Sequence, residues 1–232
     1  VAKNRLPVVY RDEWLIAVSK PAGLVVHASE DAPLRDTAMR RLRSQTGRRV
    51  YPCHRLDRPT SGLLLFAFSG QLARPVFEAF ERREITKSYW ALCRGHLQPG
   101  QEQVERPIDG RWALTRFRSL REYALPMGVS RYPTARYSLI EARPVSGRRH
   151  QIRRHLNHLA HPIIGDSGHG DLVHNRFFRQ VWGLPHLFLA SRSLELTHPV
   201  TGEALCLEAP LAWRLQACLE QLEEFRLSTG KP

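Results

Sequence analysis

The run Leu63-Leu64-Leu65-Phe66-Ala67-Phe68 constrains the fold more than any other segment. Six apolar residues without alternation leave no face for water, so the run reads as a strand covered on both sides. Such a strand needs packing layers above and below it. A chain of 232 residues, 42% of them hydrophobic, is large enough to supply them. The run is far too short to span a bilayer, and no N-terminal stretch resembles a signal peptide, so a cytoplasmic location is expected.

Around that strand, helices and strands follow one another without a regular βαβ repeat. Val8 to Tyr10 and Leu15 to Val18 read as short strands joined by an Asp12-Glu13 turn. Leu24 to His27 reads as an extended run after the Lys20-Pro21-Ala22-Gly23 loop. Thr37 to Thr46 is a helix with Ala38, Leu42 and Gln45 on one side. Ser69 caps a second helix running to about Arg83, with Leu72, Val76, Phe77 and Phe80 at helical spacing. Lys87 to Arg94 and Thr134 to Ala142 are strands. Residues 98 to 136, punctuated by Pro and Gly, read as loops with short strands facing solvent. His150 to Ala160 is a helix, and residues 162 to 186 a long loop with a small helical piece. Leu187 to Ser191, Leu194 to Thr197 and Ala204 to Glu208 are strands, and Ala212 to Glu224 a closing helix. The expected class is α+β, as one domain across residues 1 to 232.

Charge narrows the partner. Lys plus Arg number 35 against 22 Asp plus Glu, a formal +13. The only lysines are Lys3, Lys20, Lys87 and Lys231; every other basic residue is arginine. This balance favours a polyanion. Guanidinium binds phosphate as a planar fork and stacks on bases, which ammonium does not. Cys53, Cys93, Cys206 and Cys218 form no CxxC pair, which argues against a zinc knuckle or a disulfide scaffold and for reduced thiols.

Three segments could carry chemistry. His54-Arg55-Leu56-Asp57-Arg58-Pro59-Thr60-Ser61-Gly62 ends at the apolar strand. Opposite charge on both sides favours a carboxylate in its charged form. The bare residues fit a nucleophile or base and an Arg–Asp pair tying down a loop equally well. Gly147-Arg148-Arg149-His150-Gln151-Ile152-Arg153-Arg154 is the densest basic segment, and arginines at a helix start suit phosphate contacts. Tyr89, on a predicted strand, fits a core aromatic or a base-stacking platform. His155, His158 and His161 recur every three residues, but Pro162 follows and no acidic or thiol ligand lies at metal spacing, so no metal is expected.

These residues resemble the RluA-type pseudouridine synthase family. His54-Arg55-Leu56-Asp57-Arg58-Pro59-Thr60-Ser61-Gly62-Leu63-Leu64 is similar to its catalytic motif. Asp12-Glu13-Trp14-Leu15 through Lys20-Pro21-Ala22-Gly23 to His27 resembles its N-terminal motif, and Lys87-Ser88-Tyr89 its tyrosine motif. Gly147 to Arg153, continued by His161-Pro162-Ile163-Ile164-Gly165-Asp166, resembles its C-terminal basic motif. Arg131 to Tyr137 and His169-Gly170-Asp171-Leu172 with Asn175-Arg176 are similar to the branch that modifies uridine 65 of tRNA.

The resemblance implies a mixed, largely antiparallel bent sheet flanked by helices, with Asp57 in a central cleft and no S4-like domain. It implies isomerisation of a flipped-out uridine without a cofactor. Asp57 would attack ribose C1′, with base C6 as the alternative; the uracil then rotates and rejoins through C5, which loses its proton. Arg153 would pair with Asp57, and Tyr89 would stack on the base. Arg55, Arg58, Arg148, Arg149 and His54 would contact RNA, with arginines between 35 and 49 further out. The expected partner is RNA, tRNA above all, with no membrane and no obligate protein partner. The rival readings are the same reaction on ribosomal RNA, a non-catalytic RNA-binding or ribosome-assembly module, and a metal-dependent nuclease. Asp57 speaks against a binding module, because a carboxylate among phosphate-binding arginines repels the ligand. A nuclease would need a tighter acidic cluster than Asp57, Asp166 and Asp171.

Overall fold

The computed structural model describes residues 5–28 and 36–227. Along the chain run β1 (Val8–Arg11), β2 (Leu15–Lys20), α1 (Ala38–Thr46), β3 (Tyr51–Pro52), β4 (Ser61–Ala67) and α2 (Gly70–Glu81). Then come β5 (Thr86–Arg94), β6 (Gln103–Glu105), β7 (Leu114–Leu125), β8 (Ala135–Pro144), α3 (Gln151–His158) and α4 (Leu172–Trp182). β9 (Leu189–Thr197), β10 (Ala204–Glu208) and α5 (Trp213–Leu222) close the chain, followed by a 3-10 turn at Glu223–Phe225. The class is α+β, with a largely antiparallel open sheet and flanking helices. The chain divides into two compact units, Val1–Lys87 with Ala190–Pro210, and Ser88–Leu189 with Leu211–Pro232.

In the first unit the order is β1-β2-β4-β9, with β10 beside β9 and β3 against β4. Every pair is antiparallel except β4 with β9, which run parallel at Ser61↔Ala190 and Gly62↔Ser191. That approach requires glycine: a Cβ on Gly62, at φ +100°, would lie 2.1 Å from the Ser191 carbonyl oxygen. All seven β4 residues are buried, as the unbroken apolar run predicts. Ser69 Oγ accepts from Leu72 N–H at the start of α2. Ala73 and Val76 face the core, with Leu72 and Phe80 at its edge. Phe77 stays outside: it follows Val76 by one position, about 100° round the helix. The extended run expected at Leu24 to His27 is only a bridge of Val25 to Thr37.

In the second unit the order is β5-β8-β7-β6, all antiparallel. Three expectations are corrected here. Residues 98 to 136 are not mainly loop: Leu114–Leu125 forms a twelve-residue strand paired along β8. Its register shifts between Ser119 and Arg121, so the buried side changes mid-strand. Before the shift Thr115 and Phe117 face α3; after it Tyr123 and Leu125 share a face with Tyr137, against α4 and the chain end. The loop expected at 162 to 186 contains an eleven-residue helix, α4, capped by Asp171 accepting from Val173 and His174 N–H. Its Phe178 packs on Tyr137 with ring centroids 4.9 Å apart. The two strands expected at 187–191 and 194–197 are one continuous β9.

Candidate active site

Asp57 sits in the loop between β3 and β4, and main-chain bonds fix both ends of that loop. Cys53 N–H donates to Leu65 C=O at 3.0 Å, and Thr60 N–H to Asp57 C=O at 3.0 Å. Leu56 is buried, Asp57 is half-buried, and Arg55 and Arg58 are exposed. The loop is tied to the Lys20–Gly23 segment by the Arg58 carbonyl, which accepts from Gly23 N–H at 2.8 Å and from Lys20 Nζ at 3.3 Å. Arg58 Nε returns a bond to Gly23 C=O at 3.0 Å. Two stretches 35 residues apart are thereby locked together.

Lys20 is fully buried beneath this junction. Its Nζ also donates to the carbonyls of Pro21 at 3.0 Å and Leu24 at 2.7 Å. Burial pulls its pKa down to about 7, and the nearby Asp57 carboxylate opposes that shift. Three carbonyl acceptors match the three protons of an ammonium.

His54 corrects an expectation. It is not an RNA contact: its ring is buried against Phe80, and Nε2 accepts from Leu65 N–H at 3.1 Å. Burial, then the Lys87 charge, lowers its pKa to about 3, so it is a neutral acceptor that pins the loop. Arg55 and Arg58 keep the exposure an RNA contact needs. Among the outer arginines, Arg40, Arg43, Arg48 and Arg49 are exposed and Arg41 half-buried, paired with Asp36; Arg35 lies outside the described residues.

In the second unit Tyr89 lies on β5 opposite Ala142, largely buried. Arg153, on the first turn of α3, is 5% exposed. Its Nε donates to Asp166 Oδ2 and its Nη2 to Asp166 Oδ1, both at 2.7 Å. Asp166 Oδ1 also accepts from Gly168 and His169 N–H, each at 2.9 Å. Burial raises the pKa of this carboxyl, but Arg153 and the two amides outweigh it, and the pKa lies below its usual value. The Asp166 carbonyl in turn accepts from Asn175 Nδ2 of α4 at 2.8 Å, while Asn175 Oδ1 takes Gly165 N–H at 2.6 Å. Arg153 is thus held in a fixed plane by Asp166.

The residue after it behaves differently. Arg154 reaches Asp109 at 2.9 Å at the surface, so the helix phase separates the two arginines. Arg149 is exposed, whereas Arg148 is half-buried and gives Nε to the Trp112 carbonyl at 3.1 Å. His150 takes a left-handed φ of 55° just before α3, and its Nδ1 lies 3.0 Å from His169 Nε2.

His155, His158 and His161 each have a protein partner. His155 Nε2 donates to Arg106 C=O at 3.1 Å, leaving Nδ1 to accept from Thr115 Oγ1 at 2.9 Å. His161 donates from Nδ1 to Arg94 C=O at 2.9 Å, and His158 lies against Arg106. Among the described residues no group of three His, Cys, Asp or Glu side chains could hold a metal ion. No described helix is long and apolar enough to cross a membrane. Lys20, Asp166, Gln151 and Asn175 were not singled out as site residues by sequence. Each nonetheless falls inside a segment that resembles a family motif.

A family model described as RNA pseudouridylate synthase matches residues 14–158, a span holding Asp57, Tyr89 and Arg153 and parts of both units. The chain belongs to that family. A tRNA pseudouridine synthase C of Pectobacterium carotovorum subsp. carotovorum is 43% identical over 220 residues, 88% of this chain and 58% of the relative. A tRNA pseudouridine synthase C of Vibrio cholerae is 42% identical over 222 residues, 89% of this chain and 91% of the relative. Among solved structures, Human RNA Pseudouridylate Synthase Domain Containing 4 superposes with TM-score 0.72 at 25% identity, covering 93% of this chain and 92% of that one. The α+β architecture is therefore the family's own.

Proposed function

We propose that this chain isomerises uridine to pseudouridine in tRNA, with uridine 65 as the target, in the cytoplasm. Asp57 is the nucleophile, Tyr89 the ring that stacks on the flipped base, and Arg153 the cation of the reaction. Arg55, Arg58, Arg148 and Arg149 contact the RNA backbone. Both units belong to one catalytic domain. One observation carries the reading: Asp57 is a half-exposed carboxylate in a loop fixed at both ends, between two exposed guanidiniums.

Several features support this assignment. A loop already held by main-chain bonds presents its side chain without reorganisation, as positioned catalysis requires. The relatives named for tRNA match across nearly all of the chain. The isomerisation needs no redox partner or hydrolytic water, and tRNA offers a rigid stem on which arginine–phosphate contacts set register. Flipping a paired uridine costs a few kcal/mol, which those contacts must supply.

Release of tritium from 5-tritiated uridine in folded tRNA measures the reaction. Wild-type protein should release one equivalent and Asp57→Asn none, with RNA binding retained. Turnover by Asp57→Asn refutes the nucleophile, and modification of a ribosomal fragment but not of position 65 refutes the tRNA assignment.

A further inference from the structure

The sheet of the second unit has one face packed by α3 and another that is only partly covered. Beyond the register shift in β7, Tyr123 and Tyr137 lie under the chain end and α4. Before the shift the same face carries Arg116 and Arg118 on β7 and Glu141 and Arg143 on β8. Arg116 stands directly opposite Arg143, and Arg118 opposite Glu141. These residues, with Phe117, line a cleft of about 250 Å³.

Its electrostatics are lopsided. Glu141 is buried and accepts from Ser88 Oγ at 2.8 Å, Arg118 Nη2 at 2.9 Å and Arg143 Nη2 at 3.0 Å. Those donors hold its pKa below the usual carboxylate range against the opposing effect of burial. Glu141 therefore fixes two guanidiniums but neutralises one charge of three. Arg118 and Arg143 remain 68% and 52% exposed at their side chains. Arg116 has a bond of 3.5 Å to Gln103 and is exposed. Like charges directly opposite across two strands are destabilising on their own. Two net positive charges around a cleft, two of the arginines held by a buried carboxylate, form a preorganised fork for a tetrahedral oxyanion.

We propose that the Arg116–Arg118–Arg143 cleft is a second RNA-backbone site, taking a phosphodiester group of the substrate remote from the base being isomerised. It rests on the reading of the chain as an RNA-modifying enzyme. Its place supports a continuous path: Arg143 lies five residues before Arg148, so a strand held at the start of α3 can continue round the end of β8 onto this face. The site adds affinity and register, not chemistry, because Tyr89 and Arg153 belong to the other face or to the helix packed there.

Arg116 is the residue to change, since its loss leaves Glu141 fully partnered. Binding of folded tRNA to the whole protein is measured across a salt series for wild type, Arg116→Ala, Arg116→Glu and Arg179→Ala, the last an exposed arginine on α4 carrying the same charge change. Arg116→Ala should weaken binding about 3–10-fold and lower the log–log salt slope by about 0.7–0.9. Arg116→Glu should weaken it further, and both should raise KM with kcat unchanged. Arg116 variants that match Arg179→Ala in affinity and slope overturn the site. Binding is read independently of turnover: absence of pseudouridine with wild type rejects the functional reading, while the binding comparison still decides the cleft.

Discussion

The Asp57 loop and the Arg153 helix hold opposite charges by opposite means. Around Asp57 it is the main chain that is fixed: the carbonyls of Arg58 and Leu65 and the amide of Thr60 are all engaged, and the carboxylate is left half-exposed. Around Arg153 it is the side chain that is fixed, by two bonds to a carboxylate that is 1% exposed. Loop rigidity can therefore survive loss of the Asp57 charge. Loss of either charge in the Arg153–Asp166 pair leaves a buried ion without its partner, which costs far more than the pair contributes.

The largest expected effect separates chemistry from stability. Asp57→Asn should lower turnover at least about 10³-fold, roughly 4 kcal/mol of barrier, while its unfolding free energy stays within about 0.5 kcal/mol of wild type. Tritium release and urea denaturation on the same preparation give both numbers. A large loss of stability would show that the carboxylate holds the loop, which would erase the contrast with Arg153.

Asp166→Asn is the converse test. It keeps the shape and the carbonyl acceptor but removes the carboxylate charge that holds both Nε and Nη2 of the buried Arg153, so about 3–5 kcal/mol of stability should be lost. Turnover measured well below the melting temperature should fall too, because the guanidinium plane is no longer set by two parallel bonds. Denaturation midpoints for Asp57→Asn and Asp166→Asn that coincide would break the comparison.

The difference also explains what was legible. The Asp57 loop was readable because it abuts β4, whose unbroken Leu63–Phe68 run admits one interpretation, and because its charges are contiguous in sequence. The clamp on Arg153 was not, since Asp166 and Asn175 reach it from a loop and from α4, both placed only by tertiary packing. Within β7, Phe117 is buried on one face and Tyr123 on the other. A strand that changes its buried side mid-way has no single alternation to detect. Residue type alone also misplaced His54: beside Arg55 it looks like an RNA ligand, whereas its ring is a core acceptor.

Smaller effects follow from the two buried bases that hold the Asp57 loop. Both have pKa values below their unfolded ones, so the unfolded chain binds more protons and stability rises with pH through each window. For His54 the window runs from about 3 to the unfolded 6.5, so acidification from neutrality should cost up to a few kcal/mol. For Lys20 it runs from about 7 to the unfolded 10.5, so stability should rise on the alkaline side. His54→Gln keeps an acceptor for Leu65 N–H and should flatten the acid limb; Lys20→Met should flatten the alkaline one. Unfolding free energies measured from pH 4 to 10 check both slopes, and an unchanged acid limb in His54→Gln would mean that other groups carry it.

The smallest effect is expected one residue from the largest clamp. Arg154 is about one-third exposed and pairs with Asp109, which is mostly exposed. An exposed pair of this kind contributes about 0.2–1 kcal/mol, because water screens it and two long side chains lose freedom. Arg154→Ala should therefore change stability by less than about 1 kcal/mol and leave kcat within about twofold. Arg153→Ala, by contrast, strands Asp166 in the core and removes the cation assigned to the reaction. The two arginines are adjacent in sequence and chemically identical, so only their phase on α3, about 100° apart, distinguishes them. Measuring both variants side by side isolates that phase: comparable losses of turnover would mean that helix position does not decide which guanidinium the reaction uses, and the contrast between a clamped and a solvated arginine would fall.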